Sequence, residues 1–196
     1  MTISRRRALD ALDRFKNQRP DSDELFFMLQ ALARSPDHAR SPKLPFDHTA
    51  ALLGASILEN VLEAALLRKF IALTPPEQSL IFRDGPLSGF AAKIRIGHAL
   101  GIYGPCMRDD LLSIKSARNA FAHTHTHVDF STQEIVDLCS TFTILNKEDL
   151  WAPPDFPKPV SPRDQYLGSI RHYYICLAVE SEDEEEFHEI YKAIAF

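Results

Sequence analysis

Glycine is scarce in this chain, seven residues in 196, and none falls in a GxGxxG or GxxxxGK[ST] pattern. That excludes the backbone cradles that hold phosphates in dinucleotide-binding and P-loop proteins. Cysteine is scarcer still. Cys106, Cys139 and Cys176 are widely spaced, odd in number and without a CxxC, which fits neither a disulfide framework nor a zinc ribbon. Reduced thiols buried as small hydrophobes are the expectation. Arginine clusters only once, in "SRRR" at residues 4–7, and the net charge is −5. An acidic balance argues against a surface built mainly to grip phosphate backbones, and direct DNA binding is not expected. No apolar h-region follows the N-terminal arginines, and no apolar run reads as long enough to span a bilayer. No nucleophile elbow and no HExxH is present. These absences lead to the expectation of a cytoplasmic protein with no membrane segment, no cofactor and no metal.

What the chain does have is apolar residues at helical spacing. Residues 3–17 carry Leu9, Leu12 and Phe15, and residues 22–34 carry Leu25, Phe26, Leu29 and Leu32, so both segments read as N-terminal helices. A linker over 35–47 follows, rich in proline. Then comes "HTAALLGASILENVLEAALLRKFIAL", from residue 48, the strongest helix in the sequence. About 25 residues would span about 38 Å. It is apolar around most of its circumference, as a central helix covered by its neighbours must be. The tandem prolines 75 and 76 stop it. A turn at Asp84-Gly85-Pro86 leads into a helix from about 88 to 100, with Ser88 as N-cap and Gly101 at C′. Further helices read over about 107–122 and 132–145. "WAPPDFPKPVSP" marks a proline-rich strap at 151–162, more a tether than a ligand motif. Residues 163–179 and the segment after the acidic run "ESEDEEE", through Ile190 and Ile194, complete a C-terminal helical part over 163–196. The fold class is all-α: one bundle around a long central helix, its core domain over 48–150.

Two charges interrupt apolar stripes. Leu111, Ile114, Arg118 and Phe121 share a face of the 107–122 helix, while Leu52, Ala55, Glu59, Leu62 and Leu66 share one on the long helix, with Glu63 one turn on. A charge in a core is costly unless paired, so Arg118 is expected to contact Glu59 or Glu63. His123 lies about 140° from Arg118 around the helix and shares its face with Asn119. It reads either as a helix-end residue meeting the last carbonyls or as a chemical group. His123, His125 and His127 alternate, but no carboxylate or cysteine stands at ligand spacing, so no metal is expected. Lys93, His98 and Trp151 are further candidate binding residues, His98 reading mainly as a packed or capping side chain.

Two family resemblances arise from these residues. "LIFRDGPLSGFAAKIRIGHALGIYG" at 80–104, followed by "LLSIKSARNAFAH" at 111–123, resembles the pattern of the mannitol-operon repressor family, and the long helix is similar to that family's central helix. The likeness covers about 48–145. It implies an all-α bacterial regulator of sugar-alcohol uptake, working through a protein partner because no helix-turn-helix with a basic recognition helix is present. "RNAFAH" also resembles the Arg-x4-His motif of the HEPN superfamily, many of whose members are metal-independent ribonucleases assembled as homodimers. That resemblance implies Arg118 on phosphate charge, His123 in proton transfer and Asn119 positioning them.

Overall fold

A computed structural model describes residues 46–123, 128–143 and 160–178. Among these the chain is all-α, with six helices and no strand. The expected helices at 3–17 and 22–34, most of the strap including Trp151, and the last C-terminal helix lie outside the described residues.

Helix α1 runs over Phe46–Lys69, with Asp47 in its first turn and Arg68 and Lys69 in its last, each complementing the helix dipole. Its most apolar 18-residue window has a mean hydropathy of 1.6. By length and composition α1 could therefore cross a bilayer, which corrects the reading that no apolar run here is long enough. The bundle uses that apolarity instead. Ala50, Ala51, Ala55, Ile57, Leu58, Leu62, Ala65 and Leu66 are all buried, and 61% of the window is covered by the rest of the protein. The helix stops at Lys69 rather than running to residue 73, and Thr74, which precedes a proline, takes extended backbone, ψ 156°.

The tandem prolines also start a helix that the sequence reading left unassigned, α2 over Pro75–Phe82. Proline suits the first helical position, where no N–H partner is needed. Thr74 is the N-cap, and Glu77 closes a capping box by accepting the Thr74 backbone N–H at 2.7 Å. Phe82 is buried, with its ring 6.0 Å from that of Phe70, so the end of α2 is brought back to the end of α1.

Helix α3 spans Phe90–Ala99. Its N-cap is Gly89, one residue beyond the expected Ser88. At its other end Gly101 takes φ 69°. The Ile102 N–H then bonds the Gly97 carbonyl and the Gly101 N–H the His98 carbonyl, both at 3.0 Å, a Schellman closure. Helix α4 spans Pro105–His123, α5 Gln133–Ser140 and α6 Pro162–Ala178. Ser161 and Asp164 cap α6 reciprocally: the Ser161 hydroxyl donates to Asp164 Oδ2 at 2.7 Å, and the Asp164 N–H donates to Ser161 Oγ at 3.1 Å.

Helix α1 packs against α3, α4 and α6, and α5 packs against α6. Tyr166 donates to the Ala51 carbonyl at 3.0 Å, Gly54 lies against Leu167 and Ile170, and Arg68 donates to the Leu177 carbonyl. Numbers rise together, so α1 and α6 are parallel. On α4 the order reverses, since Tyr166 reaches the Ile114 carbonyl and Tyr173 the Asp110 carboxylate. One end of the bundle thus gathers the N-termini of α1 and α6 with the C-terminus of α4. There the rings of His48, Phe121, Phe130, Tyr166 and Phe142 succeed one another with centroids 5.0–6.4 Å apart.

Candidate functional site

The buried charges sit between α1 and α3. Lys93 lies on the face of α3 that carries Phe90, Ile94 and Gly97 and is 3% exposed. Its Nζ stands 2.9 Å from Glu59 Oε1 and 2.9 Å from Glu63 Oε2. Arg83, just past α2, approaches Glu63 at 3.6 Å from a half-open position. Glu63 is as buried as Lys93, and Glu59 is partly open to solvent. A lysine bridging two carboxylates offsets the cost of burying all three.

This arrangement corrects the expected Arg118 ion pair. The carboxylates of Glu59 and Glu63 are met by Lys93, and Arg118 instead donates to the neutral amide oxygen of its neighbour Asn119 at 3.4 Å. The reason lies in helix phase. From Ile114 the core row can step three residues to Ala117 or four to Arg118, and α4 takes the first. Leu111, Ile114, Ala117 and Phe121 are buried while Arg118 and Asn119 stand half-buried at the flank. His123 is exposed in the last turn of α4. Arg118, Asn119 and His123 therefore share the C-terminal end of α4, where the N-termini of α1 and α6 converge. His125 and His127 lie outside the described residues.

His98 is engaged at both ring nitrogens. A guanidinium only donates, so Arg108 Nη1, 3.2 Å from Nε2, fixes Nε2 as acceptor and places the proton on Nδ1. Nδ1–H then donates to the Tyr103 carbonyl at 3.1 Å. The ring ties the α3–α4 turn together rather than facing a ligand. Tyr103 is itself buried and donates to the Ile94 carbonyl at 2.8 Å.

A second buried acid was missed in the sequence. Asp110, on the same face of α4 as Met107 and Ile114, accepts from the Tyr173 hydroxyl and from the Thr143 N–H at 2.8 Å. The stripe count that singled out Arg118 would have found it. Burial first, and the Asp110 charge second, push the Tyr173 hydroxyl well above its ordinary range. Desolvation does the same to Tyr166, with the Arg118 charge opposing it. Cys139 and Cys176 are pushed up to about 12 by burial. Their thiols are unionised near neutrality, and all three cysteines are free.

Set against family models, curated proteins and solved structures, the chain matches none of the three.

Proposed function

We propose that this chain is a helical regulatory protein of the mannitol-operon-repressor type, acting in the cytoplasm through contacts with a protein partner rather than by reading DNA. The observation that carries the reading is at the α1–α2 corner, where Ile71 is 83% and Leu80 66% exposed. Two large aliphatic side chains exposed on one short corner offer apolar surface to a protein contact. Two polar residues of the resembling 80–104 segment, by contrast, are spent within the bundle, Lys93 on two glutamates and His98 on the α3–α4 turn. A transcriptional reporter on the sugar-alcohol uptake operon tests the reading. Ile71→Ser with Leu80→Ser relieves repression while the helical circular dichroism and the urea midpoint stay at wild-type values. Full repression by that double variant would refute it.

A second reading is favoured by Arg118. Arg68 donates to a carbonyl, and Arg83, Arg108 and Arg163 each meet a carboxylate. Arg118 instead bonds a neutral amide and keeps most of its five donors for other acceptors. A guanidinium that meets no carboxylate among the described residues, beside Asn119 and with His123 exposed on the same helix end, supports metal-independent ribonuclease chemistry of the HEPN kind, completed across a homodimer. RNA cleavage in chelator-containing buffer, abolished by Arg118→Ala and by His123→Ala, would establish it. Intact RNA after incubation with the wild type would dismiss it.

A further inference from the structure

Helices α4 and α6 pack against each other and run in opposite directions. The Tyr166 hydroxyl reaches the Ile114 carbonyl at 3.5 Å, and two turns along α6 the Tyr173 hydroxyl donates to the Asp110 carboxylate, one turn back along α4. One more turn in the same sense brings both helices to a cysteine. Cys176 follows Tyr173 by three residues and Cys106 precedes Asp110 by four. Both therefore stand about 5 Å beyond the Tyr173–Asp110 contact, on the same side of it. Packed helices lie about 8–10 Å apart between axes, with each Cα about 2.3 Å from its own axis. Facing positions on such a pair bring their Cα atoms into the range of about 4.4–6.8 Å that a disulfide spans.

The surroundings single out the same two thiols. Burial first, then the Asp110 charge, raise the Tyr173 hydroxyl, and Cys176 and Cys106 add to that effect. Both sulfurs are thus neighbours of one buried oxygen. Cys139 stands apart, buried on α5, where after burial it is the next influence raising the Tyr166 hydroxyl. Cys106 and Cys176 are each partly open to solvent, and all three thiols are free. Cys106 stands in the first turn of α4, whereas burial holds the Cys176 thiol protonated, pushed up to about 12. Cys106 is therefore the sulfur that meets an oxidant first.

We propose that Cys106 and Cys176 form a peroxide-responsive thiol pair that closes into a disulfide between α4 and α6. The Cys106 sulfur attacks one peroxide oxygen, the O–O bond breaks and water leaves, giving a sulfenic acid. The Cys176 sulfur then displaces the sulfenic oxygen, which departs with the thiol proton as a second water. Two thiols are oxidised to one disulfide, and one hydrogen peroxide is reduced to two waters. Cys176 precedes Leu177, whose carbonyl receives Arg68, so the bond fastens α4 to the point where α1 and α6 already meet. In a reducing compartment such a bond is transient and reports the oxidant.

Hydrogen peroxide added to the full-length wild type, followed by alkylation, intact mass and peptide mapping, tests the pair without any partner or RNA. The expected result is a loss of two hydrogens per chain and a linked peptide pair joining Cys106 to Cys176. The urea midpoint rises with the closed loop, and dithiothreitol reverses both changes. Cys139→Ser keeps the link, while Cys176→Ser stops at a Cys106 sulfenic acid that dimedone traps. The mapping is read on the wild type, so it decides the matter even where a variant fails to fold. Cys106 and Cys176 still open to alkylation after peroxide overturn the proposal. So do a wild-type Cys106 left as sulfenic or sulfinic acid and a link between two copies.

Discussion

At the scale of single residues, Lys93 decides most. It is the cation between two carboxylates, and no solvent can replace it at 3% exposure. Lys93→Met leaves Glu63 buried without its lysine, with Arg83 at 3.6 Å. A loss of about 3–5 kcal/mol in urea unfolding is expected, the usual cost of removing one partner of a buried pair. Adding Glu59→Gln and Glu63→Gln to Lys93→Met recovers most of it, because the stranded charge goes with the lysine. If the triple variant were as unstable as the single one, the loss would lie in packing rather than charge. The presence of a charge cluster was legible in the sequence, since Glu59 interrupts an apolar stripe with Glu63 one turn on. Its cation was not. Lys93 and Arg118 both lie beside apolar stripes, and a one-residue difference in helix phase, Ala117 inward instead of Arg118, decides between them. Periodicity alone does not carry that precision.

At the scale of elements, the 80–104 segment behaves as one interlocked corner. A Cβ on Gly85 would lie 1.9 Å from the Leu80 carbonyl oxygen, so the turn after α2 closes only on glycine. A Cβ on Gly97 would lie 2.6 Å from the Tyr103 hydroxyl, the group that bonds the Ile94 carbonyl. Gly97→Ala gains about 1 kcal/mol of helix propensity and loses more by displacing a buried ring. A net loss of about 1–3 kcal/mol in thermal or urea unfolding is the expected outcome. Gly89→Ala, where nothing stands within 4 Å, stays within about 1 kcal/mol of wild type; equal losses at the two glycines would contradict the Tyr103 argument. Most helices were legible from their apolar spacing and from Gly101. Helix α2 was not, because "PPEQSLIF" is short and its prolines read first as a stop. The same prolines fit the opening turn of a helix, and the signal for it was the Thr74–Glu77 spacing.

At the scale of the whole molecule, α6 is the element through which acid should act. Its inner face buries Tyr166, Ile170, Tyr173 and Leu177 against the bundle, and His172 stands beside Tyr173 with the two rings edge to face at 5.7 Å. Burial, and to a lesser extent the neighbouring Arg171 charge, lowers the His172 imidazole to about 4. In the unfolded chain the same ring titrates near its ordinary value of about 6.5. Between those two values the unfolded state binds a proton that the folded state refuses. The stability contributed by the neutral ring is therefore complete above pH about 6.5 and is lost as pH falls toward about 4, by up to about 3 kcal/mol. Urea midpoints measured from pH 7.5 to 4 should decline through that window for the wild type, and His172→Phe should flatten the decline while keeping the ring packed against Tyr173. The sign matters as much as the size. A histidine held by an acidic partner would gain stability as pH fell, so a wild-type midpoint that rises on acidification would place a carboxylate, not apolar burial, around His172.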